Sequence, residues 1–248
     1  MKKYENVVND RYNSISSKKH IYEDIYSVLN PIGFWTYIEI ETLICKFFNT
    51  LRNEHIDITK FKILDIGCGS GTITRLFAEI TKKPQNITGI DLSEVRLKEA
   101  KELNQSIKYE QHDIVNLPVF SEKFDVISAF VVFMHLNTEE QILKAMQGIK
   151  TNLAPNGYFV WYDVYSKDHF KSPKNVDSWG FSGKQMDYLC SKAGFKKVSN
   201  LNIFKTFFGK IHSLTLCKIF PVWFVKILEK IIPSKAGNMC RIYKIDKQ

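Results

Sequence analysis

Three glycines, Gly67, Gly69 and Gly71, follow the apolar run FKILDI (61–66). Glycine lets a turn use positive φ and lets backbone approach a ligand that a side chain would hold off. The spacing is G-x-G-x-G, with Cys68 and Ser70 between the glycines, and Thr72 stands where a dinucleotide fingerprint has its third glycine. No Gly-Lys-Ser/Thr follows, which excludes a P-loop. Asp91 comes 20 residues after Gly71, where a carboxylate can accept both hydroxyls of a ribose. Asp113, in QHDIVNLP, can accept from the amino group of adenine, and Leu92 and Ile114 offer apolar faces to the base. The chemistry expected of this set is nucleoside recognition. Each carboxylate also has a local explanation. Asp65 could cap backbone amides, Asp91 could partner the N-cap of the next helix, and Asp113 could begin a turn. Three such residues at three successive strand ends, counting Asp65, favour the shared ligand.

The elements that must hold these residues alternate. The run 61–66 reads as a buried strand. Ile73, Leu76, Phe77 and Ile80 give 70–80 helical spacing. NITGID (86–91) is strand-like, and 93–103 is helical with Ser93 as N-cap. IKYEQHD (107–113) alternates, and FDVISAF (124–130) is apolar and β-branched. An amphipathic helix over 137–153 opens on Asn137 or Thr138, and a strand over 156–164 follows a turn at Pro155-Asn156-Gly157. A helix over 181–195 is expected to end at Gly194, followed by strands at 195–204 and 239–246, which form a hairpin closing the sheet. This order predicts an α/β fold with a mostly parallel sheet and helices on both faces. The ligand belongs beyond the carboxyl ends of the strands, near the switch point after the first. The chain reads as a single domain over 1–248. A helical cap over 1–58 is expected over the mouth of the sheet. The core spans 59–204 and 239–248, and a helical insertion spans 205–238.

The chain has 248 residues, 44% hydrophobic and 25% charged, enough to bury a core without staples. No window is long and apolar enough to span a membrane, and no apolar run follows the charged first residues, so a cytoplasmic enzyme is expected. Five cysteines, at 45, 68, 190, 217 and 240, show no CxxC spacing. Neither a disulfide framework nor a metal site is expected. The net charge of +9 would attract anionic partners. No dense basic run accompanies it, so nucleic acid is not the expected partner.

On these motifs the chain resembles the class I S-adenosylmethionine-dependent methyltransferases. DIGCGSG is similar to their first motif, GIDLS to the acidic second and QHDIVNLP to the third. FDVISAFVVFMHL is similar to the fourth, LAPNGYFVWYDV to the fifth and AGFKKV to the start of the terminal hairpin. The resemblance covers about 60–200 and 239–246. It implies a Rossmann-like, seven-stranded sheet with an antiparallel last strand, and S-adenosyl-L-methionine as cofactor. Gly67 and Gly69 would then face the methionine part, with Asp65 near its amino group. Gly71 would let the next helix pack tightly. Asp91 would bind the ribose, and Asp113 and Ile114 the adenine. Phe130 would line the sulfonium end.

Methyl transfer is an in-line displacement, and positioning carries much of the catalysis. A base is required only when the acceptor must lose a proton. His135, just after the fourth predicted strand, is the first candidate. Asp163, with Tyr162 beside it at the end of the fifth, and His169 in the next loop are the others. Each has an ordinary structural alternative: a loop-capping histidine for His135, a solvated loop for the rest. Tyr12 and Tyr22 could close over the cofactor. The signatures of adenine-amino, cysteine-nucleophile, arginine and magnesium-dependent catechol methyltransferases are absent, which leaves small-molecule and glycan acceptors.

The segment 213–233 is apolar and basic together, with a helix opening at Val222 after Pro221. It could pack on the sheet, form a subunit interface or touch a membrane surface. A faint likeness to methyltransferases encoded with bacterial surface-polysaccharide genes favours O-methylation of a sugar, sugar nucleotide or phosphorylated or phosphoramidate capsule precursor. A quinone or lipid acceptor at the membrane face is the alternative. A methyltransferase-like partner that does no chemistry is the alternative from another class.

Overall fold

The computed structural model describes residues 31–136, 138–166, 180–204 and 236–246. Tyr12, Tyr22, His169 and the helix expected from Val222 lie outside the described residues, as does the insertion apart from its last residues.

A long helix, α1 (Pro31–Asn53), precedes the sheet. Strand β1 (Ile63–Ile66) is buried at every residue, as a central parallel strand covered on both faces must be. The chain then alternates through α2 (Thr72–Thr81), β2 (Ile87–Asp91), α3 (Glu94–Leu103), β3 (Lys108–Gln111) and β4 (Phe124–Phe130). It continues through α4 (Glu139–Asn152), β5 (Leu153–Ser166), α5 (Gly183–Lys192), β6 (Phe195–Phe204) and β7 (Ala236–Ile245). The seven strands lie in the order β3-β2-β1-β4-β5-β7-β6. β1 pairs in parallel with both β2 and β4, so the chain reverses its direction of travel across the sheet between them. β7 runs antiparallel between β5 and β6. The expected fold class, with its antiparallel last strand, is the observed one.

Two cores sandwich the sheet. α4 and α5 bury Ile142, Met146, Ile149, Met186 and Leu189 against Ile127, Phe159 and Trp161. On the other face α1, α2 and α3 bury Leu43, Ile44, Phe47, Phe77 and Leu97 against Ile63, Val126, Val160 and Tyr162. Fully burying such side chains contributes about 1.5–3 kcal/mol each. The described part of the expected cap is therefore a wall of the sheet. Phe47 meets Tyr158 at a ring-centroid distance of 5.2 Å, and Phe48 meets Phe77 at 6.1 Å.

Local signals set the helix ends. Thr138 accepts from Gln141 N at 3.2 Å and opens α4. Ser182 and Gln185 form a reciprocal capping box on α5. Gly194, at φ +83°, follows the end of α5. Two expectations need correction. β3 ends at Gln111, so Asp113 lies beyond the strand. Pro155-Asn156-Gly157 is no turn before β5 but an irregularity within it, where the pairing of Phe124 with Leu153 passes to that of Val126 with Tyr158. The bulge lets the strand resume its hydrogen bonds without breaking the sheet.

Candidate active site

The glycine turn connects β1 to α2 with Gly67, Gly69 and Gly71 at φ +68°, +54° and +79°. Ordinary side chains avoid this left-handed region. At Gly67 space adds a second reason, since a Cβ there would stand 2.4 Å from Val132 Cγ2. The turn is then tied to β2. Cys68 N donates to Ile90 O at 2.9 Å. Gly69 N donates to Asp91 Oδ2, and Ser93 N to Asp91 Oδ1, both at 2.8 Å. Asp91 thus joins the glycine turn to the start of α3 with one carboxylate. Charge-assisted bonds of this kind are roughly twice as strong as neutral ones. Its local explanation from sequence is realised, and the same residue also faces the pocket.

That pocket lies beyond the carboxyl ends of β1 to β4, at the point where the chain reverses. Ile66 and Gly67 line it from β1, and Asp91 and Leu92 from β2. His112, Asp113 and Ile114 come from β3, and Val131, Val132 and His135 from β4. The cleft is open to solvent, with about 490 Å³ of empty space when its mouth is counted. Asp113 opens a short 3₁₀ turn (Ile114–Asn116), accepting from Val115 N at 2.9 Å and from Asn116 Nδ2 at 2.7 Å. His112 N donates to Asp91 O at 3.1 Å, which fixes the third wall to the second.

Of the expected site residues, Gly67, Asp91, Leu92, Asp113, Ile114 and His135 meet at this pocket. Gly69, Cys68 and Gly71 stand behind it. The Cys68 thiol is buried beneath the turn, and a Cβ at Gly71 would come within 2.5 Å of Tyr109 Oη. Asp65 is buried between elements: Thr74 Oγ1 donates to it at 2.7 Å and Ser128 Oγ at 2.8 Å. Burial pushes its carboxyl up to about 6 against those two hydrogen bonds. It pins α2 and β4 to β1 and does not line the pocket.

Two expectations about strand ends are overturned by the period of the pleat. Phe130 points to the α1 side, against Phe77 and Tyr162 at 6.5 and 5.7 Å between centroids. Its neighbours Val131 and Val132 form the pocket wall instead. Asp163 was expected at the mouth but is completely buried on the α4 and α5 side. It accepts from Trp161 Nε1 at 3.1 Å, Val164 N at 3.0 Å and Met134 N at 3.2 Å. Burial pushes its carboxyl up to about 7, opposed by these donors. Among the described candidates for a base, only His135 reaches the pocket.

Sequence reasoning missed Ile66, His112, Val131 and Val132 as pocket residues. The last two stand inside the quoted stretch FDVISAFVVFMHL, but nothing in it announces that Val131 sits at φ +59°. A β-branched residue in that region is strained, and such strain gathers at functional sites.

The residues fit an adenosyl group. Asp91 retains lone pairs toward the cleft for ribose hydroxyls, and each carboxylate oxygen can accept more than one bond. Leu92 and Ile114 give apolar surface for a base. Two carboxylates suit a ligand carrying positive charge.

Comparison with known proteins gives the same direction. A family model described as "Methyltransferase domain" matches residues 59–206. Ubiquinone biosynthesis O-methyltransferase of Histophilus somni (strain 2336) is 31% identical over 109 residues, covering 40% of this chain and 43% of that protein. The chain spans about half the length of the curated relatives it matches. An S-adenosylmethionine-dependent methyltransferase structure from Clostridium acetobutylicum ATCC 824 superposes with a TM-score of 0.60 at 12% identity, over 95% of this chain and 99% of that one. The cyclase SpnF superposes at 0.56 with 16% identity over 76% of each chain. At those identities both likenesses speak for the fold alone.

Proposed function

The chain belongs to the methyltransferase domain family, of the class I S-adenosylmethionine-dependent kind, and from that premise we propose that it transfers a methyl group from S-adenosylmethionine to an oxygen of a small acceptor. The observation that carries this reading is the pocket at the switch point, with Asp91 facing it and bracing the glycine turn through Gly69 N. The cofactor would supply a methyl carbon activated by its positive sulfur. Asp91 would accept the ribose hydroxyls and Asp113 the adenine amino group, with Leu92 and Ile114 against the base. Gly67 offers backbone where a side chain would block the methionine part. His135, lining the pocket and 8% exposed, would take the proton of a hydroxyl acceptor. Such a transfer requires the acceptor oxygen within hydrogen-bond reach of the imidazole.

For the acceptor we infer a hydroxylated aromatic of the quinone type, which the names of the curated relatives support. None of the relatives named here is named for polysaccharide methylation. The charge of +9 keeps one second reading, an anionic sugar-derived acceptor. Among the described residues no helix is long and apolar enough to cross a membrane. Fold alone does not decide the chemistry, since SpnF shares it and is named a cyclase.

The test is calorimetry with S-adenosylmethionine, S-adenosylhomocysteine and NAD, followed by methyl-transfer assays on polyprenylated catechols and on phosphorylated sugars. Binding of the first two without NAD, and turnover of the catechols, is the expected result. NAD binding would sink the cofactor assignment. Turnover of the sugars alone would replace the aromatic acceptor by the anionic one.

A further inference from the structure

We propose that Asp163 is a positioning residue for the β4 wall of the pocket, its buried carboxylate holding the backbone of the turn that carries His135. The inference deepens the cofactor reading above and rests on it for its functional consequence. Its structural part stands on the geometry.

After β4 the chain makes one 3₁₀ turn, Phe133–His135. The first N–H groups of such a turn have no partner within it, and here the turn packs on the sheet, with Phe133 buried and Met134 partly so. An unpaired buried donor is costly, about 1–3 kcal/mol, so an acceptor must come from elsewhere. It comes from β5. Met134 N donates to Asp163 Oδ2 at 3.2 Å, and the neighbouring Phe133 amide also favours the ionised carboxylate. Trp161 Nε1 and Val164 N hold the carboxylate itself in place. Trp161 meanwhile packs on Phe133 with centroids 4.7 Å apart, so the same two residues of β5 grip the turn by hydrogen bond and by ring.

The grip is needed because of what precedes the turn. Val131 sits at φ +59°, a conformation that persists only when its surroundings over-determine it. Val131 N donates to Tyr162 O at 2.7 Å on one side. On the other, Asp163 fixes the turn, and His135 N closes back on Val132 O at 3.0 Å. Released from Asp163, the segment could relax towards ordinary backbone angles, and Val131, Val132 and His135 would leave the cleft together. Asp163 therefore acts through the turn and touches no substrate.

The experiment compares Asp163→Leu and Asp163→Asn with the full-length protein. Residue-resolved amide exchange and calorimetry with S-adenosylmethionine are the two readouts. Asparagine keeps a carbonyl oxygen for Met134 N and Trp161 Nε1, and leucine keeps none. The expected result for leucine is loss of protection at Phe133 and Met134, with the amides of β1 and β2 still protected, and about tenfold weaker binding. Asparagine should restore much of both. If the leucine variant does not fold, the asparagine variant decides: protection at Met134 close to wild type supports the inference, and its loss overturns it. Equal loss of protection across the whole sheet in both variants, or unchanged exchange at Met134 in a folded leucine variant, also overturns it. If the wild type binds no S-adenosylmethionine, the cofactor reading fails on that readout. Exchange at Met134 then decides the anchoring by itself.

Discussion

The two sides of the pocket are built differently. On the β1–β2 side the hold lies in residue types: three glycines at positive φ, and a carboxylate that accepts from the turn, Asp91 from Gly69 N. On the β4 side it lies in what the next strand brings: Val131 is held by Tyr162 O, and Met134 N by Asp163. The first side needs particular residue types at fixed spacing. The second needs only a buried acceptor that the neighbouring strand brings into register. The lesson concerns Val132, which belongs to both: it rests against Gly67, so the sides are fitted to one another across a single contact.

The largest way to break that fit is Gly67→Val. A β-branched residue at φ +68° whose Cβ would stand 2.4 Å from Val132 Cγ2 suffers left-handed strain and overpacking, together about 2–5 kcal/mol. Cofactor binding by calorimetry is expected to weaken by about a thousandfold. Binding within threefold of wild type would remove Gly67 from the cofactor wall. Next comes His135→Ala, which separates chemistry from binding. Turnover should drop about a hundredfold while cofactor affinity changes little. Equal loss of both, with a lower Tm, would make His135 a structural residue of the turn.

Asp91→Ala attacks the β1–β2 side alone. Losing a charged acceptor that holds two amides should cost about 1.5–3 kcal/mol, about 10- to 100-fold in cofactor affinity. The Tm should fall by only a few degrees. Unchanged affinity would defeat the ribose assignment. The smallest effect sharpens the comparison from beneath the pocket. Burial raises the carboxyl of Asp65 to about 6 from 3.8, so the native state holds this proton more tightly than the unfolded chain. Its stability contribution is complete below pH 3.8 and is lost as pH rises to about 6, at most about 3 kcal/mol. Asp65→Asn should flatten the fall of Tm across that window in thermal unfolding followed by circular dichroism. An equally steep fall in the variant would show that other groups set it.

Much of the fold was legible before the structure because parallel sheets announce themselves. FDVISAF could be read as β4 because a strand covered on both faces must be largely apolar, and Gly194 marked the end of α5 because only glycine accepts a left-handed angle cheaply. Asp91 and Asp113 were legible for a similar reason: a carboxylate at or just beyond a strand end has a ligand or a loop amide to serve, and here both carboxylates bind loop amides. The misreadings share one cause. Phe130 and Asp163 were assigned to the mouth because both read as strand ends; Phe130 does end β4, β5 runs on to Ser166, and the pleat sends the two to opposite sides of the sheet.

The sequence by itself determined the alternating topology, the glycine turn and the acidic strand ends, because each rests on the preferences of single residues and their near neighbours. Only the tertiary structure decided which side chains reach the cleft. It turned Phe130 into core packing and Asp65 into a cross-link, drew Asp163 inward, and forced Val131 into a left-handed angle. Those outcomes depend on which strand lies beside which, and on the cost of leaving a buried N–H unpaired once it does.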